Sequence, residues 1–248
     1  MFLKTFLDFD KNPFTELENT TQFENVLNGR IGTVLVDLKN SKEILVPIIR
    51  TTTVYDKPAQ QFQPIHDQIV AKIKEKTPIL YLNNALIEIY DSSYCTMKSH
   101  SDQALDLLED SYICVFSCYS NHCTTDVRKL RVKNKTTSET HEIIMDHCSI
   151  VYWHYTTNYK YLHQIVLENP KHDGSKWLGI TFRCSKTFIK FIQNEAYFLD
   201  NNEKLQLATE KQKNEFYKLR GLENRNIIYE YPKLNYTISP SDLMLPVF

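Results

Sequence analysis

The chain has 248 residues, 42% hydrophobic and 24% charged, a balance that sustains a folded core and excludes extensive disorder. Its formal net charge of −1 and pI ≈ 6.7 exclude a global positive field for duplex nucleic acid, so any such contact falls to local patches. Only 5 glycines occur, with neither a GxGxxG run nor a P-loop, which disfavours a fold built on glycine-rich phosphate loops. The opening MFLKTFLDFDKNPF is interrupted by Lys4, Asp8 and Asp10 and lacks a signal peptide's apolar core, and no stretch approaches the ~20 apolar residues of a membrane span. The six cysteines are scattered without CxxC pairs, so a soluble intracellular protein, cytoplasmic or nuclear and without a membrane partner, is expected. Nothing in the sequence specifies an oligomeric state.

Residues 1–43 are expected to form an N-terminal arm, irregular or shortly helical up to residue 30, leading into a first strand in GRIGTVLVDL. KEILVPIIR reads as the next strand. Ile65, Ile69 and Ile73 recur every four residues among polar neighbours, which predicts an amphipathic helix over 64–76, stopped before Pro78. The pattern then turns β up to about residue 185, with strands predicted at 79–90, 111–120, 127–133, 141–145, 148–155, 161–168 and 177–184. Short, evenly spaced strands joined by polar turns predict an antiparallel jelly roll or barrel, and the preceding helix makes the class α+β. The main domain spans 44–190. Over 191–248, Leu205, Ala208, Gln212, Phe216 and Leu219 trace a helical stripe with Gly221 as its C-cap. An aromatic, proline-rich tail follows, and the whole segment is expected to dock on the main domain.

The chemistry centres on His100-Ser101-Asp102. In extended backbone, residues i and i+2 point the same way, so both side chains could grip one metal ion. His163, 61 residues after Asp102 and inside a predicted strand, would complete a two-histidine, one-carboxylate face with open positions opposite. Arg183 closes the apolar run LGITFR, where a buried guanidinium needs an anion. The plain alternatives are a surface turn, a core histidine and a rim arginine paired with an acid. His154 is the rival third ligand, disfavoured by strand alternation. Cys114, Cys118, His122 and Cys123 could hold zinc, but their run alternates like a buried strand, where cysteines fill core space. Asp106, in an acidic loop, is a candidate to orient a metal-bound histidine. Arg131 and Lys133, with Lys129 and Lys135, share one face of a strand that could track phosphates, or that merely blunts a sheet edge. Tyr55 could stack on a base or pack in the core.

Taken in order, HSD, YLHQI and ITFR resemble the core motifs of AlkB-like, 2-oxoglutarate- and iron(II)-dependent dioxygenases. KPAQQFQPIHDQIVAKI, YLNNALIEIY and HCSIVYW resemble flanking stretches of the same family, and the likeness covers roughly residues 44–190. The resemblance implies a double-stranded β-helix (jelly-roll) core with flanking helices. It makes His100, Asp102 and His163 the iron ligands, Arg183 a clamp on a carboxylate of 2-oxoglutarate, and Tyr90 a hydrogen-bonding partner of that co-substrate. The implied activity is that of an oxidoreductase: 2-oxoglutarate is decarboxylated to succinate while an N-alkyl group on a base in DNA or RNA is hydroxylated and shed as an aldehyde. Three positions depart from the pattern. Glu88 stands where asparagine is usual, Trp177 where a second arginine is usual, and Gln164 where a glycine often follows the distal histidine. Lys176 could supply the missing charge, though not with bidentate geometry. Neutral net charge favours the same oxygenase chemistry on a protein side chain or small metabolite. Glu88 and Trp177 favour a jelly-roll interaction module that has lost turnover.

Overall fold

The computed structural model describes residues 1–38 and 44–248. The chain opens with strand β1 (Phe2–Phe6), helix α1 (Phe14–Thr20) and strands β2 (Glu24–Leu27), β3 (Arg30–Val36), β4 (Leu45–Ile48) and β5 (Gln60–Gln61). Helix α2 (Pro64–Lys76) follows the isoleucine spacing: Ile65, Ile69 and Ile73 are buried, Pro64 opens the first turn, and Gln63 and His66 cap it reciprocally. Next come β6 (Asn84–Tyr90), β7 (Tyr112–Tyr119), β8 (Lys129–Asn134), β9 (Thr140–Ile144) and β10 (Ser149–His154). The short helix α3 (Tyr155–Lys160) leads to β11 (Tyr161–Val166), β12 (Trp177–Arg183), β13 (Thr187–Ile192), β14 (Glu195–Phe198) and β15 (Gln206–Leu207). Helix α4 (Glu210–Arg225), β16 (Tyr236–Thr237) and a 3-10 turn (Pro240–Leu243) complete the regular elements.

The architecture is mostly antiparallel sheet with few helices. The main sheet runs β1-β10-β7-β12-β6-β3-β2, with β5 added in parallel beside β3. Its two faces differ because strand side chains alternate. Leu178, Ile180 and Phe182 of β12 join Ile87 and Ile89 of β6 and Cys114, Phe116 and Cys118 of β7 in a core closed by α1 and α2. Trp177, Gly179, Thr181 and Arg183 face the other way. There, Val115, Val151 and Trp153 pack against Leu130, Val132 and Ile165 of a second sheet, β11-β8-β9.

The N-terminal arm is more regular than the sequence indicates: β1 pairs along β10, with Phe2 opposite Trp153. The strand expected over 79–90 begins only at Asn84, and Lys42 and Glu43 of the KEILVPIIR strand, like the domain boundary at 43, lie outside the described residues. The hairpin β13–β14 carries no glycine signal, since its two-residue turn takes positive φ at Gln193 (52°) and Asn194 (65°). The helical stripe begins late. Thr209 and Gln212 form a capping box that starts α4 at Glu210, while Leu205 and Ala208 flank the short strand β15. Gly221 lies inside α4, whose C-cap is Asn226. No helix among the described residues is long and apolar enough to cross a membrane.

Candidate metal centre

Between the second face of the main sheet and β11-β8-β9 lies a cavity of ≈ 80 Å³, which shares Arg30, Met97, His100 and Arg220 with a wider outer groove of ≈ 670 Å³. Strand register lays out its floor in rows. Arg30, Tyr90 and Trp177 sit side by side across β3, β6 and β12, and Gly32, Glu88 and Gly179 form the next row. Both glycines make room. A Cβ on Gly179 would lie 2.0 Å from the Trp177 indole, and one on Gly32 would lie 3.0 Å from Glu88 Cγ.

The wall carries the predicted ligands. His100 and His163 form an isolated antiparallel bridge, His100 N–H donating to the His163 carbonyl at 2.9 Å and His163 N–H to the His100 carbonyl at 2.6 Å. This sets the imidazoles side by side, 4.6 Å between centroids. Asn158 of α3 then holds Asp102 by both backbone groups, accepting from its N–H at 2.8 Å and donating to its carbonyl at 2.7 Å. The carboxylate therefore turns inward. Asp102 Oδ1 lies 3.6 Å from His163 Nε2 and 3.9 Å from His100 Nε2, and one ligand atom from each residue falls within 4.8 Å of the others. Among the described residues this is the one such group of three, so the Cys114–Cys123 stretch forms none: Cys114 and Cys118 are buried in the apolar core.

The electrostatics suit a divalent cation. Burial keeps His163 neutral, its pKa pulled down to about 4, and also holds that of His100 well below its ordinary value, aided by the neighbouring His163 and Arg220. His100 Nδ1 lies 2.8 Å from the Lys98 carbonyl, so that nitrogen carries the proton and Nε2 keeps its lone pair for a metal. Burial alone would raise the Asp102 carboxyl, but the Arg183 guanidinium, followed by the two histidines, outweighs it and holds the group ionised well below the usual carboxylate range. Arg183 Nε donates to Asp102 Oδ2 at 2.7 Å, leaving Oδ1 toward the histidines. Arg183 Nη1 is buried without a hydrogen-bond partner among the described residues, an orphaned donor at the cavity wall. Two neutral imidazoles, one ionised carboxylate and a spare guanidinium N–H fit iron(II) and an oxoacid carboxylate.

Glu88 does face inward, as a departure from the family pattern, but its charge is met. Arg30 pairs with it through Nε at 2.9 Å and through Nη2, while the Tyr55 and Tyr90 hydroxyls donate to it at 3.0 and 2.5 Å. The sequence reading misses Arg30 and Asn158, which carry no local signal. Tyr90 thus lies behind Glu88, fully buried, and Tyr55 is buried in the same network instead of being presented to the groove. Trp177 lies across Gly179 with Nε1 donating to Ser117 Oγ at 2.6 Å. Lys176 is not brought to the site, because it precedes β12 and pairs with Glu18 at 3.0 Å on the exposed side. The ribbon on β8 is also elsewhere. Arg131 and Lys129 are neutralised by Glu142 and Glu168, and Lys133 is exposed beside them. Asp106 pairs with buried Arg50 at 2.7 Å, away from the histidines. His154 caps α3 and points from the cavity, whereas Thr51, Thr52 and Thr53 do line it.

No family model and no curated protein matches this sequence. The fold is nevertheless similar to that of solved proteins. The structure of OsALKBH1 superposes with a TM-score of 0.50 at 12% identity, covering 74% of this chain and 97% of that one. A prolyl-4-hydroxylase from Pseudomonas putida aligns over 74% of this chain and 92% of its own at 10% identity, with a TM-score of 0.41. At such identity the OsALKBH1 likeness shows a shared fold.

Proposed function

We propose that this protein is an Fe(II)/2-oxoglutarate-dependent dioxygenase that oxidatively dealkylates a nucleobase in DNA or RNA, built on a double-stranded β-helix over residues 44–190, with an N-terminal arm and first strand ahead of it and 191–248 docked against it. The observation that carries this reading is the convergence of His100, Asp102 and His163 at one edge of a cavity, with Arg183 braced on Asp102. The three residues would hold iron(II), which with 2-oxoglutarate and oxygen supplies the oxidising power for C–H hydroxylation. Arg183 binds and orients a co-substrate carboxylate through its unpartnered Nη1. Arg30, Tyr55 and Tyr90 cancel the Glu88 charge that would otherwise repel such an anion. Trp153, its ring 5.0 Å from that of His163, closes the inner side against water. The outer groove, bordered by Arg30, Lys98, Arg220 and the tyrosines 94 and 217, offers cations and aromatic rings to an anionic, planar substrate, in a cytoplasmic or nuclear setting.

A second reading keeps the chemistry and takes a protein side chain or metabolite, and the neutralised Lys129–Arg131 ribbon favours it. Anaerobic Fe(II) with 2-oxoglutarate should give a weak visible charge-transfer band that His100→Ala and Asp102→Ala abolish. A folded wild-type protein without that band would refute both readings. Succinate release stimulated by methylated oligonucleotide, and not by unmodified DNA, separates the first from the second.

A further inference from the structure

Residues 101–104 belong to no strand, so their buried backbone groups have no ladder partners. Asn158 serves Asp102. Three more, both groups of Ser101 and the N–H of Ala104, are served by one face of α4. Ser101 N–H donates to Asn224 Oδ1 at 3.0 Å, the Ser101 carbonyl accepts from Arg220 Nη2, and Ala104 N–H donates to Glu223 Oε1 at 2.8 Å. Arg220 Nη1 and the Tyr231 hydroxyl both donate to Glu223 Oε2, at 2.7 and 2.8 Å, bracing the helical side chains against one another. Positions 220, 223 and 224 are one helical face by spacing, and Ser101, Arg220 and Glu223 are all buried.

We propose that α4 is part of the metal centre, with Arg220, Glu223 and Asn224 as positioning residues that fix the backbone on either side of Asp102, at Ser101 and Ala104. The inference rests on the metal reading above and gives the C-terminal segment a role in it. Hydrogen bonds are directional where apolar packing is not, and a metal tolerates only small displacements of its ligands. The helix is docked by separate means: Phe216 packs with Ala208, Leu234, Tyr236 and Ile238 in an apolar cluster of its own. Removing one polar contact therefore leaves α4 in place and loosens only the loop.

Co(II) titration followed by visible absorption tests this without turnover. Asn224→Ala and Arg220→Gln are expected to weaken Co(II) binding by roughly 10- to 100-fold and to change the ligand-field bands. Asn224→Asp, which keeps the acceptor for Ser101 N–H, restores affinity, and Lys218→Ala on the exposed side of α4 changes nothing. Wild-type affinity in Asn224→Ala with a cooperative melt overturns the inference, and so does Asn224→Asp falling as far as Asn224→Ala. The Asn224 pair decides the matter even if Arg220→Gln fails to fold. Should the wild type bind no Co(II), or His100→Ala bind it equally well, the metal reading fails and this inference with it.

Discussion

The two faces of strand β12 obey one alternation and reach opposite solutions. Toward α1 and α2, Leu178, Ile180 and Phe182 are fully buried among apolar neighbours, a surface whose identity is volume and shape. Toward the cavity, Trp177, Gly179 and Arg183 are nearly as buried and Thr181 is half-buried, yet this face is set by hydrogen bonds, an ion pair and a glycine-sized gap. The strand thus holds the centre of the sheet on one side and the wall of a polar cavity on the other. Apolar packing dominates the helix-backed face, and polar and charged contacts the cavity face.

The largest effect that could break this contrast comes from Phe182→Ala, which removes a ring packed 6.0 Å from Phe62. Chemical denaturation should show a loss of about 3–5 kcal/mol, while the folded fraction keeps wild-type Co(II) affinity. On the cavity face, Glu88→Gln strands the Arg30 guanidinium and should cost ~3 kcal/mol, whereas adding Arg30→Met removes the stranded charge, keeps an amide oxygen for the Tyr55 and Tyr90 hydroxyls, and should recover most of that loss. Equal losses from the single and double variants would show that packing, not charge, governs that face.

A titrating group on the dry face sharpens the contrast further. Burial pulls His66 down to about 4, so the folded protein holds it neutral while the unfolded chain protonates it near its ordinary value of 6.5. Its stabilising contribution is therefore complete above pH 6.5 and is lost as pH falls toward 4, reaching about 2 kcal/mol at pH 5. His66→Gln keeps the capping role at the start of α2 and should flatten the stability profile between those limits. The smallest effect is expected from Glu142→Ala. The exposed Lys129–Glu142–Arg131–Glu168 ladder is screened by solvent, so melting temperature should not move. What should change is salt-sensitive binding of oligonucleotides if that ribbon takes part in substrate contact.

The helix-backed face was legible because it is periodic: the isoleucines of α2 and the alternation in LGITFR are short-range signals. HSD, His163 and Arg183 were legible for a different reason, since their residue types carry chemistry at motif spacing. Arg30 was not. It is an ordinary arginine at the start of a strand, and only sheet register puts it opposite Tyr90 and within reach of Glu88, 58 residues away. Asn158 and Asn224 were illegible likewise, because a side chain that holds another segment's backbone leaves no pattern in either segment. The expectation for Lys176 failed on geometry. It precedes β12 and lies on the side of Glu18, so proximity in sequence to Trp177 gave it no access to the cavity.

The backbone bridge between His100 and His163 also bears on the order in which the molecule assembles. Closing it joins segments separated by β7 to β10 and α3, so the loop entropy must be spent before either imidazole meets the other. An ion held there would form its contacts after the main sheet has condensed, acting as a late staple. Such a staple slows unfolding far more than it speeds folding, so a metal would set how long the folded structure lasts and leave the rate at which it forms to the sheet.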